Sequence, residues 1–127
     1  MIEKMQKKIL VIEDDTNAMK VLMMRFSDEG FSVMGATTGE EGLSMALSEH
    51  PSIMLVDIIL PKMNGIEVVE KIRQDEWGKT ARIIVVSNLT DEISIRRLAE
   101  LGVIRYIVKT DFSVEKLIDM VKKEVFS

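Results

Sequence analysis

Four short stretches of the chain are apolar almost without interruption: Ile9-Leu10-Val11-Ile12, Ile53-Met54-Leu55-Val56, Ile83-Ile84-Val85-Val86 and Tyr106-Ile107-Val108. A strand with one wet face would alternate apolar and polar residues, so unbroken runs of this length predict strands buried on both faces. A fifth, weaker strand is predicted at Phe31-Ser32-Val33-Met34. Between the strands lie segments of helical period, such as Met19, Leu22, Met23 and Phe26, and later Val114, Leu117, Ile118, Val121 and Val125. Gly30 and Gly102 fall just past the ends of the first and fourth helical patterns, where a residue of positive φ closes a helix. Thr38-x-x-Glu41 has the spacing of a capping box. Asp15 or Thr16, Thr90 and Ser113 are the predicted N-caps of the first, fourth and fifth helices. Strands alternating with helices predict an α/β domain, with a doubly wound parallel sheet, right-handed crossovers and helices on both faces.

At 127 residues, 46% of them apolar, the chain has the size and the core material of one domain. We expect a single unit over residues 1–127, with a core from 7 to 126 and no room for a separate output module. Lys and Arg number 17 against 21 Asp and Glu, so no general basic field exists to hold nucleic acid. The absence of cysteine excludes disulfide scaffolds, thiol catalysis and cysteine-held metal, and accords with a reducing cytoplasm. Met1 to Lys8 is too charged for a signal segment, and no apolar run reaches the roughly 18 residues that span a bilayer. A cytoplasmic location is therefore expected.

The polar residues that end the apolar runs carry the chemistry. Glu13-Asp14 follow the first run, Asp57 the run that ends at Val56, Ser87 the run from Ile83, and Lys109 the last. Ligands of an open parallel sheet bind beyond the carboxyl ends of its strands, so these side chains are expected to converge on one edge. Carboxylates ~5 Å apart repel by about 3 kcal/mol per pair at an effective dielectric of ~20, which calls for positive charge among them. Hard oxygen donors without histidine or cysteine point to Mg²⁺, or Mn²⁺, and a lone lysine suits a phosphate. A nucleophilic carboxylate beside a divalent metal and a lysine is equipped for phosphoryl transfer onto aspartate, and the serine could hydrogen-bond a phosphoryl oxygen.

On Ile9 to Asp15, Val56-Asp57-Ile58-Ile59-Leu60-Pro61-Lys62-Met63-Asn64-Gly65, Ile84 to Ser87 and Tyr106 to Lys109, in this order and spacing, the chain resembles the receiver domain of two-component response regulators from residue 7 to 126. The resemblance implies a flavodoxin-like strand order 2-1-3-4-5, with the first and third strands side by side at the switch point. It implies that Asp57 is the phosphoacceptor, that Asp14 and Asp57 bind Mg²⁺ directly, that Glu13 acts through water and that the Ile59 carbonyl completes the protein ligands. Ser87 would bond the phosphoryl group and Lys109 would pair with it, while Tyr106, with Ser87, would switch. The implied partners are a sensor histidine kinase or histidine phosphotransfer protein as donor, and a downstream protein on the face of the fourth helix, fifth strand and fifth helix. Ile95, Ala99, Tyr106 and Lys122 are expected there, and a phosphorylation-linked dimer is a further implication; direct nucleic-acid contact and membrane insertion are not expected.

Other features take plainer readings. Asp15 is read as a helix cap, His50 as a surface turn before Pro51, the ten methionines as core filler and Lys122-Lys123 as a solvated face. Trp77 is expected to fold over the sheet edge, with partner contact as the alternative. Receivers usually carry proline after the lysine; here Thr110 follows, so the Lys109-Thr110 peptide is expected to be trans. Asn88, in a place usually small, narrows the approach to the site, and Ile59 and Leu89 flank it with apolar side chains. No glycine-rich phosphate loop supports a flavodoxin-like enzyme, and Ile59 stands where an aspartyl-phosphate hydrolase would carry its second aspartate. A phosphorylation-dependent switch is the leading expectation. The receiver of a longer regulator and a phosphorylation-independent interaction module are the alternatives.

Overall fold

The computed structural model describes residues 6–126; Met1 to Met5, the start of the charged N-terminal stretch, and Ser127 lie outside them. Five strands, β1 (Lys8–Ile12), β2 (Ser32–Ala36), β3 (Ile53–Val56), β4 (Ile83–Ser87) and β5 (Arg105–Val108), form one sheet in the order β2-β1-β3-β4-β5. All four pairings are parallel. Five helices connect and follow them: α1 (Thr16–Asp28), α2 (Gly39–Glu49), α3 (Gly65–Gln74), α4 (Glu92–Glu100) and α5 (Val114–Phe126). No helix is long and apolar enough to cross a membrane among the described residues.

The unbroken apolar runs are explained by two core layers. Leu10, Ile12, Met54, Val56, Ile83 and Val85 face one side and meet Ala46, Val68, Ile72 and Leu98 of α2, α3 and α4. Ile9, Val11, Ile53, Leu55, Ile84 and Ile107 face the other and meet Met19 and Phe26 of α1 and Leu117, Val121 and Val125 of α5. The central strands β1 from Ile9, β3 and β4 to Val86 thus alternate between two dry faces, and both residues of every alternate pair there are apolar.

Several local details depart from expectation. β2 runs two residues further than predicted, to Ala36, and leaves out Phe31, which packs edge-on against Phe26 with ring centroids 5.6 Å apart. Gly35 hid the strand, because glycine weakens the strand signal; its bare α-carbon admits the Met19 and Met23 sulfurs, which would lie 2.7 and 2.8 Å from a β-carbon there. The N-cap of α4 is Asp91, not Thr90: its carboxylate accepts from the Ser94 amide at 2.9 Å. Asp15 caps α1 and Ser113 caps α5, as expected. Thr38 accepts from the Glu41 amide, but Glu41 returns to the Thr37 amide rather than that of Thr38. Gly30 and Gly102 take positive φ of 97° and 77°.

Among the methionines, Met19 and Met54 are buried but Met24 is exposed, so core filling does not cover them all. Lys123 is exposed, whereas Lys122 pairs with Glu29 and ties α5 to the end of α1. His50 sits in an exposed left-handed turn and stacks on Trp77, with centroids 4.6 Å apart and planes 7° from parallel. Trp77 begins a short 3-10 turn, Trp77–Thr80, and half-buries its ring against the core beside β4. All described peptide bonds are trans, including Lys109-Thr110, and Lys109 opens a second 3-10 turn, Lys109–Asp111.

Candidate functional site

The register of the central strands builds the site. Ile12 lies opposite Val56, so the residues that follow them, Glu13 and Asp57, leave adjacent strands side by side. The Asp57 amide donates to the Ile12 carbonyl at 3.0 Å and the Glu13 amide to the Ala36 carbonyl at 3.0 Å, which continues the ladder into the site. Ser87 lies opposite Val108, and Lys109 comes one residue later, reaching back over β4 to β1 and β3. All the strand-end residues singled out in the sequence converge, from four strands, on one edge of the sheet.

Glu13, Asp14 and Asp57 bring one carboxylate oxygen each within 4.8 Å of the others. Glu13 and Asp57 are buried and Asp14 is exposed at the mouth. The positive charge that such a cluster needs is supplied by Lys109, whose Nζ bonds Asp57 Oδ2 at 2.8 Å and Glu13 Oε1 closer still. Asp57 Oδ1 accepts from the Ile59 amide at 3.1 Å, and Glu13 Oε2 from the Asp15 amide at 3.1 Å. Burial pushes the Glu13 carboxyl above the ordinary carboxylate range, and Asp57 adds to this against the opposing pull of the Lys109 and Asp15 hydrogen bonds. Burial also works against the charge of Lys109, but its bonds to Asp57 and Glu13 outweigh that and raise its pKa. Three hard carboxylates with an exposed member, and no nitrogen or sulfur donor, fit a divalent ion of the Mg²⁺ type.

Ser87 is fully buried, and its hydroxyl accepts from the Leu89 amide at a long 3.4 Å. The Tyr106 hydroxyl donates to the Leu89 carbonyl, so the ring points in toward the β4–α4 loop. Burial raises the Tyr106 pKa; the nearby Ser87 hydroxyl opposes this and the charges of Asp91 and Asp57 add to it. Ile59 is 56% exposed, whereas Leu89 is half-buried and packs against the core. Asn88 is exposed. Asp15 caps α1 through its Oδ1, in agreement with the capping role.

Three features escaped the sequence reading. The direct Glu13–Lys109 bond was one, because the spacing of 96 residues carries no sign of it. An apolar cavity of about 270 Å³ adjoins Lys109 and is walled by Val21, Leu22, Val86, Phe112 and Leu117; it lies where the turn after Lys109 parts from α1, and no motif marks it. The third is Arg73, whose guanidinium serves four backbone carbonyls.

Comparison with known proteins agrees with this geometry. The model of the response regulator receiver domain matches residues 9–122. A probable transcriptional regulator, ycf27, of Porphyridium aerugineum is 37% identical over 114 residues, 89% of this chain and 46% of that protein. The response regulator ArlR of Staphylococcus aureus is 30% identical over 115 residues, 91% of this chain and 51% of that protein. The chain thus spans about half the length of the curated relatives it matches. Among solved structures, a CheY-like response regulator receiver domain protein from Methanospirillum hungatei superposes with a TM-score of 0.89 at 27% identity, over 95% of this chain and 94% of the other. The BeF3-activated DrrB receiver domain superposes with a TM-score of 0.84, also at 27% identity, over 97% of this chain and all of the other. With its strand order, its strand-end residues and these matches in accord, the chain belongs to the receiver domain family of two-component response regulators.

Proposed function

We propose that this domain is a phosphorylation-dependent switch in which Asp57 accepts a phosphoryl group from a phosphohistidine. The observation that carries the reading is Lys109 lying between Glu13 and Asp57 while Asp14 faces outward. Such an arrangement makes a buried, pre-aimed nucleophile with a cation already beside it. As the P–O bond to Asp57 forms, the P–N bond of the donor breaks and its electron pair returns to the imidazole. Lys109 then exchanges a carboxylate for a phosphoryl oxygen, and the buried Ser87 hydroxyl would donate to another. Asp14 and Asp57 would hold Mg²⁺ directly, Glu13 through water, with the Ile59 carbonyl as a further ligand. Bound there, the ion offsets the charge of the phosphoryl oxygens.

The donor would be a sensor histidine kinase or histidine phosphotransfer protein in the cytoplasm. Tyr106 and Ser87 would transmit the change to a downstream protein, or to a second copy, on the α4–β5–α5 face. The reading of residues 1–127 as one receiver unit applies equally to a regulator acting alone and to the receiver of a longer regulator, a reading that the greater length of the relatives favours. The test is intact mass after treatment with acetyl phosphate and Mg²⁺. Wild type should gain one phosphoryl increment and Asp57→Asn none; no gain in wild type, or an equal gain in both, overturns the assignment.

A further inference from the structure

Helix α4 is held very differently at its two ends. At its C-terminal end, Arg73 in the last turn of α3 donates from Nε to the Leu101 carbonyl at 2.6 Å and from Nη2 to the Gly102 carbonyl at 3.1 Å. Its Nη1 donates to the carbonyls of Gly78 and Ala81 at 2.7 and 2.8 Å. One guanidinium thus binds the end of α4, the end of α3 and the entry to β4 together, through a planar fork that no other side chain supplies. One turn earlier, Arg97 bonds Glu70 of α3 through Nε and Nη2 at 3.2 and 2.9 Å. Leu98, in this same half, is the one fully buried residue of α4.

The N-terminal end has no comparable tie. Asp91 caps only its own helix, and Ile93 is 83% exposed. The path to the body runs through Leu89, by the Tyr106 hydroxyl on its carbonyl and by the 3.4 Å contact of its amide with Ser87.

We propose that Arg73 is the fulcrum of α4, so that a change at Ser87 swings the N-terminal end of the helix while its C-terminal end stays pinned. This rests on the assignment of Asp57 and Ser87 above. A phosphoryl oxygen draws the Ser87 hydroxyl away, its long contact with Leu89 is lost, and the loop of residues 88–91 is left on the Tyr106 bond alone. The four charge-assisted bonds of Arg73 do not involve the site and persist. The swing is therefore graded along the helix, large at Ile93 and small at Leu101, and Arg73 acts as a positioning residue for the output face.

The test is amide hydrogen exchange on the full chain, with and without acetyl phosphate and Mg²⁺, with intact mass recorded on the same samples. Phosphorylation should change exchange in residues 89–95 by about tenfold or more and in residues 99–104 by no more than about twofold. A uniform change, or a larger one at 99–104, overturns the proposal. In unmodified protein, Arg73→Gln should speed exchange at 99–104 by about tenfold while 106–108 hold; unchanged rates there overturn it. Should that variant not melt cooperatively, Arg73→Lys replaces it. Its single nitrogen cannot serve four carbonyls, so phosphorylation should now spread its effect to 99–104, which a merely structural role would not produce, and a preserved gradient overturns the fulcrum. A missing mass increment in wild type identifies failure of the Asp57 assignment instead, and takes this proposal with it.

Discussion

Glu13 is a carboxyl held in a place that suits its chemistry better than its stability. Its raised pKa, set by burial, means that the folded chain binds its proton more tightly than the unfolded chain, so the ionised group works against folding at neutral pH. Glu13→Gln should therefore raise the melting temperature of the metal-free domain while reducing the response to Mg²⁺; a variant that melts lower without metal contradicts this. Lys109 has the opposite sign. Its pKa is raised above the ordinary 10.5, so its stabilisation is complete below that value and fades as pH climbs through the folded-state pKa. On the alkaline side, the gap in urea stability between wild type and Lys109→Met should accordingly persist until strongly alkaline solution. Ile59 bears on lifetime. Exposed at the mouth and unable to orient a water, it should slow hydrolysis of an aspartyl phosphate, and Ile59→Asn should speed the loss with Mg²⁺ present by up to about tenfold. Leu89 is half-buried and packs against the core, which leaves Ile59 the more exposed of the two.

Among the elements, α3 approaches the site so closely that its first residue must be glycine. A β-carbon on Gly65 would lie 2.3 Å from the Asp57 carbonyl and 2.7 Å from the Ile58 α-carbon, both backbone atoms that cannot yield cheaply. Gly65→Ala should cost about 2–3 kcal/mol in chemical denaturation and disturb the strand end that carries Asp57; a loss under about 1 kcal/mol would show that the loop moves freely. The elements were legible in the sequence wherever two dry faces left unbroken apolar runs, as in Ile9 to Ile12 and Ile83 to Val86. They were less so at β2, where Gly35 answers to the sulfurs of α1 rather than to strand propensity. Strand ends are fixed by the apolar-to-polar transition, which made Glu13, Asp14, Asp57, Ser87 and Lys109 visible. The cap of α4 was misplaced by one residue because Thr90 and Asp91 both carry suitable oxygens, and only the backbone decides which is placed to accept. Arg73 was invisible because its partners are carbonyls, which every residue has.

For the molecule as a whole, the acidic cluster should make stability a function of divalent cation. An ion bound by the folded state alone adds about 2.7 kcal/mol at roughly a hundredfold excess over its Kd. For a domain of this size that is roughly a 10 °C rise in melting temperature. Asp14→Asn should remove most of the rise; a wild-type transition indifferent to Mg²⁺ counts against the site. The sole tryptophan stands at the far pole of the same molecule, in the turn that enters β4, whereas Ser87 lies at the strand's other end. Stacked flat on His50, its indole is a lamp shaded by an imidazole and turned away from the chemistry. Its emission should change with the parting of α2 from the β4 entry as the domain unfolds, and should not respond to what happens at Asp57. A flat fluorescence trace during a Mg²⁺ titration therefore reports where the lamp hangs, and the ion must be followed through melting temperature instead.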